Sequence, residues 1–156
     1  MLKKRNTFFI LVLSFVLLVS LSLTGFAMSS NPDKSKPAGE AEPIPEGHVR
    51  IHYYRFDDSY SGWGLHVWGD GYDGPKVSWD SSLSPAGRDD FGVYWDVPYS
   101  GSGDLNYIIH SGDNKDVSKD QSVPNPSKNK EIWIVSGNPK EFLSKKATEA
   151  ARSNQI

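Results

Sequence analysis

The sequence contains no cysteine. That absence removes disulfides, thiol nucleophiles and thiolate metal sites together, and with them a lipid anchor on a thiol. A domain of this chain must therefore hold itself by its apolar core. Positive charge is also in short supply: 17 Lys and Arg against 19 Asp and Glu give a formal net charge of -2. Nucleic-acid binding depends on neutralising phosphates with basic side chains, so that class is set aside. No serine lies in a Gly-x-Ser-x-Gly elbow. His52 and His110 lack metal-ligand spacing, and Asp70 and Asp73 lack the downstream glutamate of a calcium loop. Neither a metal nor a cofactor is expected. Before Lys140 no stretch carries a convincing helical period, which points to strands.

What is present begins with an export signal. Lys3, Lys4 and Arg5 form a positive start, Phe8 to Leu23 is almost wholly apolar, and Gly25-Phe26-Ala27 offers small residues for cleavage. Residues 1–27 are thus expected to be a signal peptide and the mature protein to be secreted. If the apolar segment were not cleaved, it would instead anchor the chain on the outer face of a membrane. Residues 28–47 are rich in Ser, Pro, Lys, Glu and Gly, with four prolines between Asn31 and Glu46, and read as a disordered tether.

From His48 onward apolar and polar residues alternate in short runs. Val49, Ile51 and Tyr53 alternate with Arg50, His52 and Tyr54. Trp63 to Trp68 is a second strand, closed by the turn cluster Gly69 to Pro75. Lys76 to Trp79 reads as a short edge strand. Phe91, Val93, Trp95 and Val97 form an inward face, Leu105 to His110 gives another strand, and Glu131 to Val135 the last clear one. Between them, Ser111 to Lys130 is a long polar segment. Glu141 to Arg152 has helical propensity outside the alternating region. These segments predict an all-β sandwich over residues 48–145, with residues 146–156 as a tail or the start of a linker.

One stretch stands out, Ser61-Gly62-Trp63-Gly64-Leu65-His66-Val67-Trp68-Gly69. With a period of two, Leu65 and Val67 face a core, while Gly64, His66 and Trp68 face the other way. Two rings then sit at successive outward positions, roughly 7 Å apart at about 3.3 Å of rise per residue. That spacing is of the order of adjacent sugar rings, whose apolar faces stack on aromatic planes. Trp68 as a second-face core residue is the alternative on the same pattern. Trp63, Trp95 and Trp133 read as core, and Trp79 is left open between an edge cap and an accessory contact.

Taken in order, His52-Tyr53-Tyr54-Arg55, Tyr60 to Trp68, Asp90-Phe91-Gly92, Lys115-Asp116 and Glu131-Ile132-Trp133-Ile134-Val135 resemble carbohydrate-binding module family 41, the pullulanase-associated starch-binding domain. The resemblance runs from about His48 to Phe142. It implies an immunoglobulin-like antiparallel β-sandwich that binds α-glucans such as starch, glycogen or pullulan, usually ahead of the catalytic barrel of a secreted pullulanase. It also implies a site: two tryptophans two residues apart map onto His66 and Trp68, and a lysine and an aspartate from a later loop onto Lys115 and Asp120. His66 stands where tryptophan is usual, and its smaller imidazole offers less stacking area. Gly112 leaves no aromatic in the Ser111-Gly112-Asp113 loop, where some members carry one. On the residues alone, Lys115 supplies up to three donors and Asp120 accepts, the chemistry that sugar hydroxyls need. The same Lys115, Asp116, Lys119 and Asp120 also fit a solvated loop of exposed ion pairs.

The leading expectation is a non-catalytic α-glucan-binding module that targets an attached or associated glucan-degrading enzyme. The alternatives are the front of an active glycoside hydrolase, or a surface-anchored adhesion protein. A glucan-hydrolase barrel takes about 250 residues, more than the 156 present, so any catalysis is expected outside them.

Overall fold

The computed structural model describes residue 39 and residues 41–154. The expected signal peptide, residues 1–27, and the first part of the expected tether lie outside the described residues.

The first sheet is built on β1 (His48–Tyr54). Val49, Ile51 and Tyr53 are fully buried in the sandwich, and Arg50 and His52 on the other face are buried as well, so β1 is covered on both sides rather than half-buried. β4 (Val93–Pro98) runs antiparallel to it, setting Trp95 opposite Ile51 and Val97 opposite Val49. β8 (Glu131–Val135) lies on the other side and is parallel to β1, so Ile132 lies beside Ile51 and Ile134 beside Tyr53. β3 (Gly87–Arg88) completes the order β3-β4-β1-β8. The β1–β8 pair departs from the all-antiparallel expectation. Alternation specifies which face a residue takes, not the direction in which its neighbour runs.

The second sheet pairs β2 (Gly64–Trp68) with β5 (Asn106–Ser111), antiparallel. Leu65 lies opposite Ile109 and Val67 opposite Tyr107, all four buried against the first sheet. On the far side of β5 run β6 (Asn114–Lys115) and β7 (Gln121–Ser122). The polar segment after Ser111 therefore contains two short strands that its composition did not disclose. The sandwich itself is as the sequence predicts, with a single main core spanning both sheets.

Several segments differ from their sequence reading. Lys76 to Trp79 is no strand; it enters a turn closed by a bridge between Ser78 and Ser81. Phe91 is buried in a second, smaller cluster with Val135 and Phe142 rather than in the main core. The end of the tether is attached: Gly39 O accepts from the Asp90 N–H, and Glu42 O accepts from the Arg50 guanidinium. The C-terminal stretch also packs on the domain. Phe142 bridges Trp133, Thr148 is fully buried, and Arg152 of α1 (Glu149–Ser153) lies over the Tyr54 ring at 4.7 Å.

Asp116 ties the two sheets together. Its Oδ1 accepts from Tyr53 Oη and from Ser136 Oγ, each at 2.6 Å, and its Oδ2 accepts from the Gly137 N–H at 3.0 Å. Burial and the adjacent Asp116 charge push the Tyr53 phenol well above its ordinary value. Asp116→Ala leaves that buried hydroxyl and the Gly137 N–H short of an acceptor, and is expected to cost about 1–3 kcal/mol. Urea unfolding of the variant checks this, and an unchanged midpoint would show that Ser136 and Arg55 satisfy the phenol without Asp116.

Candidate functional site

The candidate site lies on the outward face of the second sheet. Register places Lys115, His110 and Gly64 in one row across β6, β5 and β2. Ile108 with His66 forms the next row, and Asn106 with Trp68 the third. The period-two reading of β2 holds, since Leu65 and Val67 are buried while His66 and Trp68 are half-buried on the opposite face. The His66 and Trp68 ring centroids are 5.4 Å apart with the planes inclined at 43°. The rings are thus closer than the roughly 7 Å that strand rise alone gives, and they are angled to one another.

A third ring joins them. Gly64 has no side chain, and a Cβ there would come within 2.3 Å of Ser82 Oγ. That gap admits residues 82–84 against the edge of β2, where Leu65 and Leu83 exchange backbone hydrogen bonds of 3.0 and 2.9 Å. The loop so attached carries Trp79 over the sheet. Its indole lies flat on buried His110, centroids 3.9 Å apart and planes at 13°, and its centroid is 5.7 Å from that of His66. Trp79 Nε1 donates to Asp113 Oδ1 at 3.3 Å. Trp79, left open by the sequence, is therefore beside the predicted residues. The only signal for it was a tryptophan in an otherwise polar loop.

The polar residues fall at one end of this row. Lys115 Nζ is 5.8 Å from the Trp79 centroid and 3.4 Å from Asp120 Oδ1. Their side chains are 36% and 59% exposed, so the pair adds little to stability and is open to a ligand. Asp116, next to Lys115 in sequence, turns to Tyr53 instead and takes no part. His66 Nδ1 and His110 Nε2 are buried without a hydrogen-bond partner, whereas His110 Nδ1 lies 2.8 Å from Gly112 O. An aromatic wall beside an ammonium donor and a carboxylate acceptor can receive the apolar face and the hydroxyl edge of a sugar together.

The other tryptophans serve the fold. Trp95 is buried in the main core, Trp63 packs against that core beneath the Arg55 guanidinium at 4.2 Å, and Trp133 stacks on His52 at 5.0 Å. His52, on the first sheet, is held between Glu131 at 2.7 Å and Asp89 at 2.8 Å. Burial pushes the Asp89 carboxyl up, but His52 and the Gly92 and Phe91 N–H groups outweigh it and hold it below the usual carboxylate value.

A family model described as "Bacterial pullanase-associated domain" matches residues 47–143. The chain belongs to this family. Among curated proteins, the pullulanase-associated domain is 42% identical over 73 residues to an alpha-amylase of Streptomyces lividans, covering 46% of this chain and 8% of that enzyme. The chain is 29% identical over 121 residues to a pullulanase of Klebsiella pneumoniae, covering 69% of this chain and 11% of that one. The chain thus spans about a tenth of the length of these relatives. Its fold is similar to that of family 41 carbohydrate-binding modules from streptococcal virulence factors, solved for their α-glucan recognition. That likeness has a TM-score of 0.59 at 20% identity and covers 67% of this chain and 50% of theirs.

Proposed function

We propose that this pullulanase-associated domain binds α-glucans on the outward face of its second sheet and has no catalytic role of its own. The observation that carries the reading is the placing of Trp68 and His66 on one open face with Lys115 and Asp120 at its end. Trp68 stacks on one glucose ring, Lys115 donates to and Asp120 accepts from hydroxyls further along the same sugar chain, and His66 lines the groove between. The inclination of the rings suits a chain that bends, as α-1,4-linked glucans do, better than a flat ribbon of β-1,4-linked sugars. In this reading the N-terminal signal takes the domain out of the cell. There it holds a linked glucan-degrading enzyme on its polymer, a reading supported by the amylase and pullulanase in which similar segments occur.

Affinity electrophoresis of the protein through gels containing amylopectin, pullulan, dextran or cellulose tests this. Retardation is expected in amylopectin and pullulan and not in cellulose. Lys115→Ala should weaken that retardation, by about 1.5–3 kcal/mol for loss of a charged hydrogen bond. Equal mobility in all four gels would refute the reading.

A further inference from the structure

We propose that Trp79 is a second stacking plane, forming a separate sugar subsite beside Lys115. The inference rests on the reading of the second sheet as an α-glucan site, and deepens it by naming a residue that neither strand of the paired rings supplies.

The 76–83 loop is built to present this side chain. Val77 and Leu83, on either side of it, pack against the main core, whereas Trp79 joins neither apolar cluster. Ser78, Asp80 and Ser81 around it are exposed. A large aromatic in such a loop would ordinarily turn inward with its neighbours. Here it turns outward and is fixed from two sides, by the stack on His110 and by the hydrogen bond to Asp113. One face of the indole is covered by that stack, which leaves the opposite face turned away from the sheet. A plane held this way loses little side-chain freedom when a ligand arrives.

The neighbours complete a sugar subsite. Lys115 is shared between the Trp79 ring and Asp120, so a pyranose on the indole has a donor and an acceptor at its edge. His66 sits between Trp68 and Trp79, its ring inclined at 43° to the first and 59° to the second. The three rings form a bent wall with the smallest in the middle. The area lost by having imidazole at position 66 is thereby returned from the loop, and a longer stretch of glucan is engaged than Trp68 alone can hold.

Calorimetric titration of wild type, Trp68→Ala and Trp79→Ala with maltose, maltotetraose and maltoheptaose tests the proposal. For the two longer sugars, Trp79→Ala should lose roughly fivefold to a hundredfold in affinity, the loss of one stacking plane. For maltose, which one plane accommodates, the loss should be small. Trp79→Phe should recover part of the affinity. If Trp79→Ala does not fold, Trp79→Leu fills the space over His110 without offering a plane, and the same losses are expected of it. If the Trp79 variants bind every length within twofold of wild type while Trp68→Ala is weakened, Trp79 is only a lid on His110. The proposal then falls and the α-glucan reading stands. If no protein binds any of the sugars, both fall.

Discussion

Trp68→Ala is expected to lose about 1–3 kcal/mol of α-glucan affinity with the fold unchanged, by analogy with other ring-on-aromatic stacking. The side chain sits on the outward face of β2 opposite Asn106, away from the main core, and its ring neighbour is His66. Deleting it opens no cavity between the sheets, so the thermal midpoint should move little. The loss falls instead on the ligand, whose apolar face meets water where the indole was. Lys115→Ala should weaken the same binding through a different contact. The two losses are not expected to add, because both groups position one sugar chain. Calorimetry with maltotetraose measures each. Unchanged affinity in a folded Trp68→Ala protein would move the site off this face.

Trp95→Ala should have the largest effect on stability, about 3–5 kcal/mol, the usual range for deleting a fully buried aromatic. Trp95 is 1% exposed between the sheets, and its Nε1 donates to Leu83 O at 2.9 Å. A marginally stable domain without disulfides has little reserve against such a loss. The hydrogen bond matters beyond stability, because Leu83 also fastens the Trp79 loop to the edge of β2. Trp95→Phe keeps most of the buried area and removes that bond. It should be folded but less firmly closed over the loop. Chemical unfolding resolves the pair: a Trp95→Ala midpoint close to that of wild type would mean that the core collapses into the space.

The sandwich was legible because each long strand turns an apolar face to the core. Val49, Ile51 and Tyr53, or Leu65 and Val67, announce that face by simple alternation, and the structure buries all five. His66 and Trp68 could be placed on one outward face for the same reason, whereas Lys115 was reached only through the family resemblance, its short strand β6 not being disclosed by composition. Alternation fails where a contact depends on the path of a loop. Trp79 reaches the site because Gly64 leaves space for Ser82, a fit between residues 18 apart in sequence that no period records. Phe91 follows the parity of Val93 and Trp95, yet it lies just before β4 and is drawn into the cluster with Phe142. The parallel partner of β1 was hidden for a related reason, since alternation does not give direction and β8 follows two short strands that composition does not disclose. Position 66 is likewise bounded by that loop. With Trp79 centred 5.7 Å away, a larger ring there has no open space on that side.

The five tryptophans supply a direct measurement. Each indole N–H gives its own signal in a proton–nitrogen correlation spectrum, assignable by single Trp→Phe replacements. On titration with maltotetraose, the Trp68 and Trp79 signals should shift together, while those of Trp63, Trp95 and Trp133 stay in place. Shifts confined to Trp133, on the opposite sheet, or no shift at millimolar sugar, would contradict an α-glucan site on the second sheet.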